Sequence, residues 1–596
     1  MAGKSIVEIF GQAPYITGGL EKAAVQLVNF EKTGELAPGA SETVEVKCDL
    51  QYIASWDSSY ANADGTKGTW VLDPGAYYFA TGNGAHEAVN NILAAQGVTS
   101  DKLTGVGDAS RVYKLDVTED VISKTALSIS KNGYQVSNHL EYADWNHFQP
   151  GEVTYLSRAD WQGTWPVEYS DMKVTDSDLI DKLNGNYYEV KTDDDVSGIK
   201  WGESSDLMFW DMKGKEYDDP SWEELLNKIT LEEALYIATF GGPSIPGIDS
   251  IGLQEHYLTE NAGNGIVIAL GASKDASAPW TISEKDTNAA WNGAVFGNAP
   301  LTAASFNNGL YFQMGEFMGE ESLFTGIAML WGPGLNVHRQ QYNGRTGEYY
   351  SEDPVVCGNT AMEYSMGALE YGLIASPKHF AFNDQETNRA GVAPYMTEQQ
   401  ARENELRGWQ IAFEATDYDT ETHNANMTGL MTSFSKVGPV ECTCSTGLMT
   451  DILKNEWGFR GYAVTDIYDD TDLWASVLVS GVTCFDTRGI SGFYSSTTLE
   501  NCSTFASQTD GVKIGVSKVS GDATIQKAVK ESAHMVLYAM TQSNLVNRYN
   551  STTKMQKQMT WWRGAYLGAA AAFGVLAVGA AASAAKNSLK SEKKEA

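Results

Sequence analysis

Asp466 ends an apolar, strand-like run, Tyr462-Ala463-Val464-Thr465, inside the segment GFRGYAVTDIYDD. Taking a carboxylate out of water costs several kcal/mol unless it is paired. A strand that runs straight into an acid therefore marks either a structural ion pair or a reacting group. Other polar residues follow apolar runs in the same way. Asn336 follows Leu335, Lys378 and His379 follow Ile374-Ala375-Ser376-Pro377, and Ser433 follows Leu430-Met431-Thr432. A carboxylate, an amine and an imidazole gathered at strand ends could support nucleophilic or acid–base chemistry. Adjacent residues on a strand face opposite ways, so Lys378 and His379 can meet one ligand only where the strand has ended. The acids Asp469, Asp470 and Asp472 lack the spacing of a calcium loop and read as a solvated loop. Cys442 and Cys444 have no second pair at zinc spacing and read as ordinary residues.

The elements that must position these groups come from residue 221 onward. SWEELLNKITLEEALYIATF has helical spacing, with Leu225, Ile229 and Leu235 apolar between acids. Short apolar runs then alternate with helix-like segments. The runs are TGIAMLWGPGLN, GLIASPKHFAFN, TGLMTSFSKV, GYAVTDIY and SVLVSGVTCFD, and the segments include PVVCGNTAMEYSMGALEY and TEQQARENELRGWQIAFEAT. Strands alternating with helices predict an α/β fold, closed over this length as a (β/α)8 TIM-like barrel across 218–548, with TIQKAVKESAHMVLYAM as a closing helix. Such barrels carry their chemistry at the C-terminal ends of the strands, which is where these polar residues fall. Residues 1–95 read as a small all-β sandwich, with Val44, Val46, Cys48 and Leu50 alternating and Pro-Gly turns on either side. Residues 96–217 have no clean period, but Trp161, Trp165, Trp201 and Trp210 argue against disorder, and we read an ordered connector wrapping its neighbour.

The 596 residues carry 76 Asp and Glu against 42 Lys and Arg, a net charge of −34. That field repels phosphate backbones and excludes nucleic acid as a partner class. Six Cys do not make a disulfide framework. MAGKSIVEIFGQAP has no apolar core of a secretory signal. Gly564–Ala585 runs without a charge, preceded by Trp561, Trp562 and Arg563 and followed by Lys586, Lys590, Lys593 and Lys594. A buried Ala-rich helix fits that composition. Length, flanks and terminal position favour a transmembrane helix at 564–585, with 586–596 as a cytoplasmic tail and the large domains extracellular on a single-pass cell-membrane protein.

Three long strings, GPGLNVHRQQYNGRTGEYYSEDP (332–354), KHFAFNDQETNR (378–389) and EWGFRGYAVTD (456–466), resemble the barrel motifs of glycoside hydrolase family 3 in order and nearly residue for residue. FEKTGELAPGASETVEVKCDL through WVLDPGAYYFATG resembles the fibronectin type III-like domain of that family. The resemblance implies a retaining, exo-acting β-glycosidase of β-glucosidase type, in which Asp466 is the catalytic nucleophile. A structural ion pair stays the alternative for Asp466. Lys378 and His379 match the pair that hydrogen-bonds sugar hydroxyls, and they would also hold Asp466 ionised. Arg345 matches the Arg of G-R-x-x-E-Y, either binding vicinal hydroxyls or serving the structure with Glu348 as its buried partner. Structural roles are expected for Glu348, Glu352 and Asp353. No metal or organic cofactor is implied.

The order of domains and the first subsite depart from the common pattern. A fibronectin-like domain ahead of the barrel resembles the reversed arrangement, in which an α/β sandwich domain precedes both. This sequence shows no such sandwich, so the expectation is the C-terminal part of a longer enzyme whose acid/base comes from an upstream α/β sandwich. The sugar-anchoring Asp aligns near Asn261, or Glu260 with a shift. Ile467 stands for the family Trp and Phe434 for a Tyr. Each change removes a charge, a stacking surface or a hydroxyl from the substrate-binding set, and lost hydrogen-bonding groups alter discrimination strongly. The alternative function is a catalytically impaired cell-surface protein that binds glycan or acts as a scaffold. The expected partners are a carbohydrate and, through the C-terminal helix, the membrane.

Overall fold

A computed structural model describes residues 2–118, 127–166, 175–260 (without 243 and 255), 296–414 (without 390), 427–467, 473–486, 516–548, 552 and 561–595. The chain forms two compact units, Met1–Arg548 and Tyr549–Ala596.

The first unit begins with a β-sandwich. Strands β1 (Ile6–Gln12), β2 (Gln26–Lys32), β5 (Gly75–Thr81) and β6 (Val112–Val117) form an antiparallel sheet in the order β2-β1-β5-β6. Strands β3 (Ser55–Ala61) and β4 (Lys67–Val71) pair as a separate hairpin. Trp56 lies opposite Trp70 across that hairpin, their rings edge-to-face at 5.3 Å. Such a pair contributes about 0.5–1.5 kcal/mol beyond its buried area. Val28, Ile53, Tyr77 and Val117 complete the same core. The alternating stretch around Val44 departs from expectation, because Ser41–Asp49 forms no strand. Val44, Val46 and Cys48 are half-buried as the alternation requires, and the backbone of this stretch is tied to the sandwich by a side chain, Asn29 Nδ2 donating to the Lys47 carbonyl at 2.7 Å. Period-two burial thus arises here without a ladder. The sheet also reaches past residue 95, taking β6 from the stretch read as connector.

The rest of that stretch is tied to the following domain by hydrogen bonds spread over its length. His139 and Leu140 donate their backbone N–H groups to Glu398 at 3.0 and 2.9 Å, Tyr188 Oη donates to the Pro439 carbonyl at 2.9 Å, and Trp201 Nε1 donates to Gln526 at 2.8 Å. Helix α1 (Ala85–Ala95) packs on the sandwich instead.

The segment read as one helical stretch from 221 is two helices, α2 (Ser221–Lys228) and α3 (Leu231–Phe240). Thr230 and Glu233 cap each other reciprocally at the break, a pattern that starts a new helix. A ring of strands follows: β7 (Ser244–Ile245), β8 (His256–Glu260), β9 (Met329–Gly334), β10 (Ile374–Lys378) and β11 (Gly429–Met431). A small hairpin, β12 (Lys436–Val437) with β13 (Val440–Glu441), leads to β14 (Tyr462–Ile467) and β15 (Cys484–Asp486). β8, β9 and β10 pair in parallel, as do β11, β14 and β15, and a parallel bridge from Phe380 to Thr432 joins the two groups. Helices α4 (Asn308–Thr325), α5 (Pro354–Glu370), α6 (Arg407–Phe413), α7 (Trp474–Ser480) and α8 (Ala523–Gln542) lie between or after the strands. The residues of β9 and β10 are buried throughout, as expected for strands covered on both faces.

Eight parallel strands were expected. Among the described residues the ring has seven, and β7 runs antiparallel to β8. The link 246–255 is too short for the crossover of roughly a dozen residues that a parallel connection needs. The ring is drawn shut where Gly241 and Gly242 lie against β15. A Cβ on Gly242 would stand 2.7 Å from Asp486 Cα and closer still to the Phe485 carbonyl, so only glycine allows this approach. Tyr462 Oη donates to both glycine carbonyls, at 3.1 and 2.9 Å.

The second unit contains α9 (Trp561–Glu595), with a 19-residue apolar stretch, Ala565–Ser583, of mean hydropathy 1.8. Tyr566, Phe573, Val575 and Leu576 on it are exposed. By length and composition this helix could cross a membrane.

Candidate active site

Strand β14 carries Asp466 to the C-terminal end of the ring, and β10 ends at Lys378, so the chain is free to turn at His379. Asn336, just after β9, holds that turn. Its Oδ1 accepts the His379 backbone N–H at 2.7 Å and its Nδ2 donates to the His379 carbonyl at 2.9 Å. One side-chain amide thus replaces the ladder bonds that stop there.

His379 Nε2 stands 3.3 Å from Asp466 Oδ2, and Asp466 Oδ1 accepts the Ile467 N–H at 2.8 Å. On the other side of the ring, His379 Nδ1 lies 3.0 Å from Tyr349 Oη, which accepts from Asn383 Nδ2 at 2.6 Å. When Asp466 is ionised, a proton on Nε2 suits the ring, and Nδ1 then accepts from the phenol. Burial, reinforced by Arg345, Lys378 and Arg389, pushes the His379 pKa well below the ordinary value, so the ring is neutral. The His379–Asp466 approach is therefore a contact between a neutral ring and a carboxyl group, not an ion pair.

Glu348 organises the cations. Arg345 forks onto it with Nε at 2.7 Å and an NH2 nitrogen at 2.9 Å, and Lys378 Nζ lies 3.3 Å away. Burial alone would raise the Glu348 pKa, but Arg345 and Lys378 together bring it below the ordinary value. Glu386 sits 3.8 Å from Arg345 and accepts from Arg389 at 2.9 Å. The guanidinium of Arg389 in turn lies 4.0 Å over the Phe434 ring. Arg345 is thereby seen in the structural arrangement, its fork taken by Glu348.

Lys378, expected with His379 to favour the ionised form of Asp466, does pull that way, but the pKa of Asp466 is raised. At 9 % exposure the desolvation of the carboxylate outweighs the opposing pull of the Ile467 N–H, Arg345, Lys378 and Arg389.

The structure thus brings Asp466, Lys378, His379 and Arg345 together, with Phe434 reached through Arg389. Asn261 lies outside the described residues, as do Asp469, Asp470 and Asp472, and nothing is described of the Glu260 side chain. Ser433 faces away from this role, donating to the Ala381 carbonyl at 2.6 Å. Tyr349, Asn383, Glu386 and Arg389 were not singled out from the sequence. All four come from loops after strands, where hydrophobic periodicity carries no signal. Their one trace is that they lie in or beside the strings GRTGEYY and KHFAFNDQETNR.

Comparison with known proteins places this geometry. Residues 288–472 match the glycosyl hydrolase family 3 N terminal domain, and residues 5–85 match a fibronectin type III-like domain. A beta-glucosidase of Ruminococcus albus is 27% identical over 468 residues, 78% of this chain and 42% of that protein. An exo-alpha-(1->6)-L-arabinopyranosidase of Bifidobacterium longum is 31% identical over 251 residues, 42% of this chain and 31% of that one. The solved structure of a beta-glucosidase from Paenibacillus barengoltzii matches with a TM-score of 0.60 at 21% identity, over 92% of this chain and 52% of its own, a likeness of fold. The chain spans less than half the length of these two curated relatives. The barrel strands from β9 to β14 and the strand-end carboxylate Asp466 thus fall inside the region that matches the glycosyl hydrolase family 3 N terminal domain, behind a region that matches a fibronectin type III-like domain.

Proposed function

We propose that this chain supplies the nucleophile of a retaining, exo-acting β-glycosidase that removes terminal sugars from oligosaccharides or glycosides. One observation carries the reading: a buried carboxyl group at the end of β14 accepts a backbone N–H and stands 3.3 Å from a neutral imidazole, with Lys378, Arg345 and Arg389 close enough to act on it electrostatically. An Asp466 carboxylate oxygen attacks the anomeric carbon. The glycosidic C–O bond breaks, and a general acid protonates the departing oxygen. The same group then takes a proton from water, which attacks the anomeric carbon and releases the sugar and free Asp466. The acid/base group is assigned to an α/β sandwich domain outside the barrel. Lys378 and His379 donate to sugar hydroxyls, and Glu348 keeps Lys378 in place. The relatives are named for different sugars, and residues near 261, Phe434 and Ile467 are where the preference for one sugar is set. The apolar helix α9 serves as a single-pass anchor, with its Lys-rich end in the cytoplasm and the large unit outside.

A fluorinated glycoside with a good leaving group tests this, because departure then needs no acid. Mass spectrometry should find a sugar adduct on Asp466, growing faster as pH rises above the ordinary carboxylate range, and none in Asp466→Asn. The second reading is a glycan-binding or scaffold protein without turnover. It is favoured by the Arg345 fork being occupied and the Phe434 face being covered by Arg389. An adduct absent across several sugars would move the weight to it.

A further inference from the structure

A cavity lies at the other end of the ring. Arg460 precedes β14, and Gly481 and Val482 precede β15, so the cavity they line opens at the N-terminal ends of the strands. It is separated from Asp466 by the length of β14, roughly 20 Å at about 3.3 Å per residue. Its volume is about 320 Å³, within the range of small-molecule sites.

The cavity wall holds Lys454, a largely buried side chain. Lys454 is 8 % exposed and, among the described residues, its Nζ has no hydrogen-bond or ion-pair partner. Burial lowers its pKa to about 8, with the nearby Glu531 working against that shift. Space is made for the side chain by Gly481, where a Cβ would stand 2.9 Å from Lys454 Cε. The second cation is Arg460, whose NH1 donates to the Lys454 and Phe459 carbonyls at 2.7 and 2.8 Å. Its guanidinium lies 5.5 Å from the Tyr217 ring. The one carboxylate in the wall, Glu531, accepts from Tyr217 Oη at 2.7 Å. Two cations and one carboxylate leave the lining one positive charge in excess. A buried charge without a partner is costly, and its cost is removed by an anion that reaches it. We propose that this cavity binds a small oxyanion, a carboxylate or a phosphate group, against Lys454 and Arg460.

The test uses the full chain in detergent, titrated with sodium phosphate in one arm and sodium acetate in another, at ionic strength held constant with sodium chloride. A saturable rise in melting temperature of about 2–4 °C is expected in one or both arms. It should vanish in Lys454→Met, which keeps the volume and removes the charge. If that variant fails to fold, Arg460→Gln takes its place and should weaken the apparent affinity at least tenfold. A response in phosphate alone assigns a phosphate group, and one in acetate alone a carboxylate. No saturable rise in either arm, or an equal rise in the variant, overturns the proposal.

Discussion

Arg402 ties three parts of the first unit together, and its removal should be costly. The side chain is buried. It donates to Glu398 at 2.8 Å, to Glu456 at 2.7 and 3.1 Å, and to the Ser137 carbonyl at 2.9 Å. The guanidinium also lies 3.9 Å over the Trp56 ring of the sandwich. Arg402→Met keeps an apolar body but leaves Glu398 and Glu456 without their shared cation. Breaking one side of such a buried network costs about 3–5 kcal/mol, mostly the penalty of the stranded charge. Glu398 retains the His139 and Leu140 N–H groups, and Glu456 retains His139 Nε2 at 3.4 Å, so the lower part of that range is expected. Arg402→Lys keeps the charge and loses the fork, and should cost about half as much. Chemical denaturation followed by tryptophan fluorescence measures this, since Trp56 reports directly on the junction. Glu456→Gln, alone and combined with Arg402→Met, completes a double-mutant cycle. A loss below about 1 kcal/mol for Arg402→Met, or a coupling energy near zero, would refute the assignment of this network as the tie between sandwich, connector and barrel.

Three further outcomes are expected. Burial, with Asp384 adding to it, raises the Glu405 pKa to about 8, against the opposing pull of Arg339. Because the folded protein keeps this proton to about pH 8 while the unfolded chain releases it near the ordinary value, stability falls as pH rises through that window. The loss is on the order of 3 kcal/mol, and Glu405→Gln should flatten it in melting curves recorded from pH 5 to 8.5. Gly242→Ala should lose about 1–3 kcal/mol of stability, because its methyl group would press on the Phe485 carbonyl and Asp486; an unchanged melting temperature would show that the ring is not closed there. Deleting 561–595 should release the protein from the membrane fraction to the soluble fraction on cell fractionation, and retention there would count against α9 as the anchor.

The sequence alone determined the elements whose physics is local. Apolar runs ending in Asn336, Lys378 and Asp466 marked strands β9, β10 and β14, because a period of two and a polar terminus are properties of a few consecutive residues. Where burial had no ladder behind it, as from Ser41 to Asp49, the same period misled, since alternation reports which side chains face inward and not whether a neighbour strand is in reach. The break between α2 and α3 was legible in principle from Thr230 and Glu233, but continuous helical spacing masked it.

Tertiary structure alone decided the rest. The neutrality of His379 depends on its burial and on Arg345 and Arg389, brought near it by the fold together with its neighbour Lys378. The raised pKa of Asp466 is a balance between burial and three cations, Arg345 beyond β9, Lys378 at the end of β10 and Arg389 beyond it. Burial wins because desolvation scales with everything packed around the group and charge attraction only with the few residues named. Glu348 was already expected beside Arg345; that it also takes Lys378 was decided by the folded loop. Residue types and spacing told which groups could react; their protonation and partners were set by distances that only the folded chain contains.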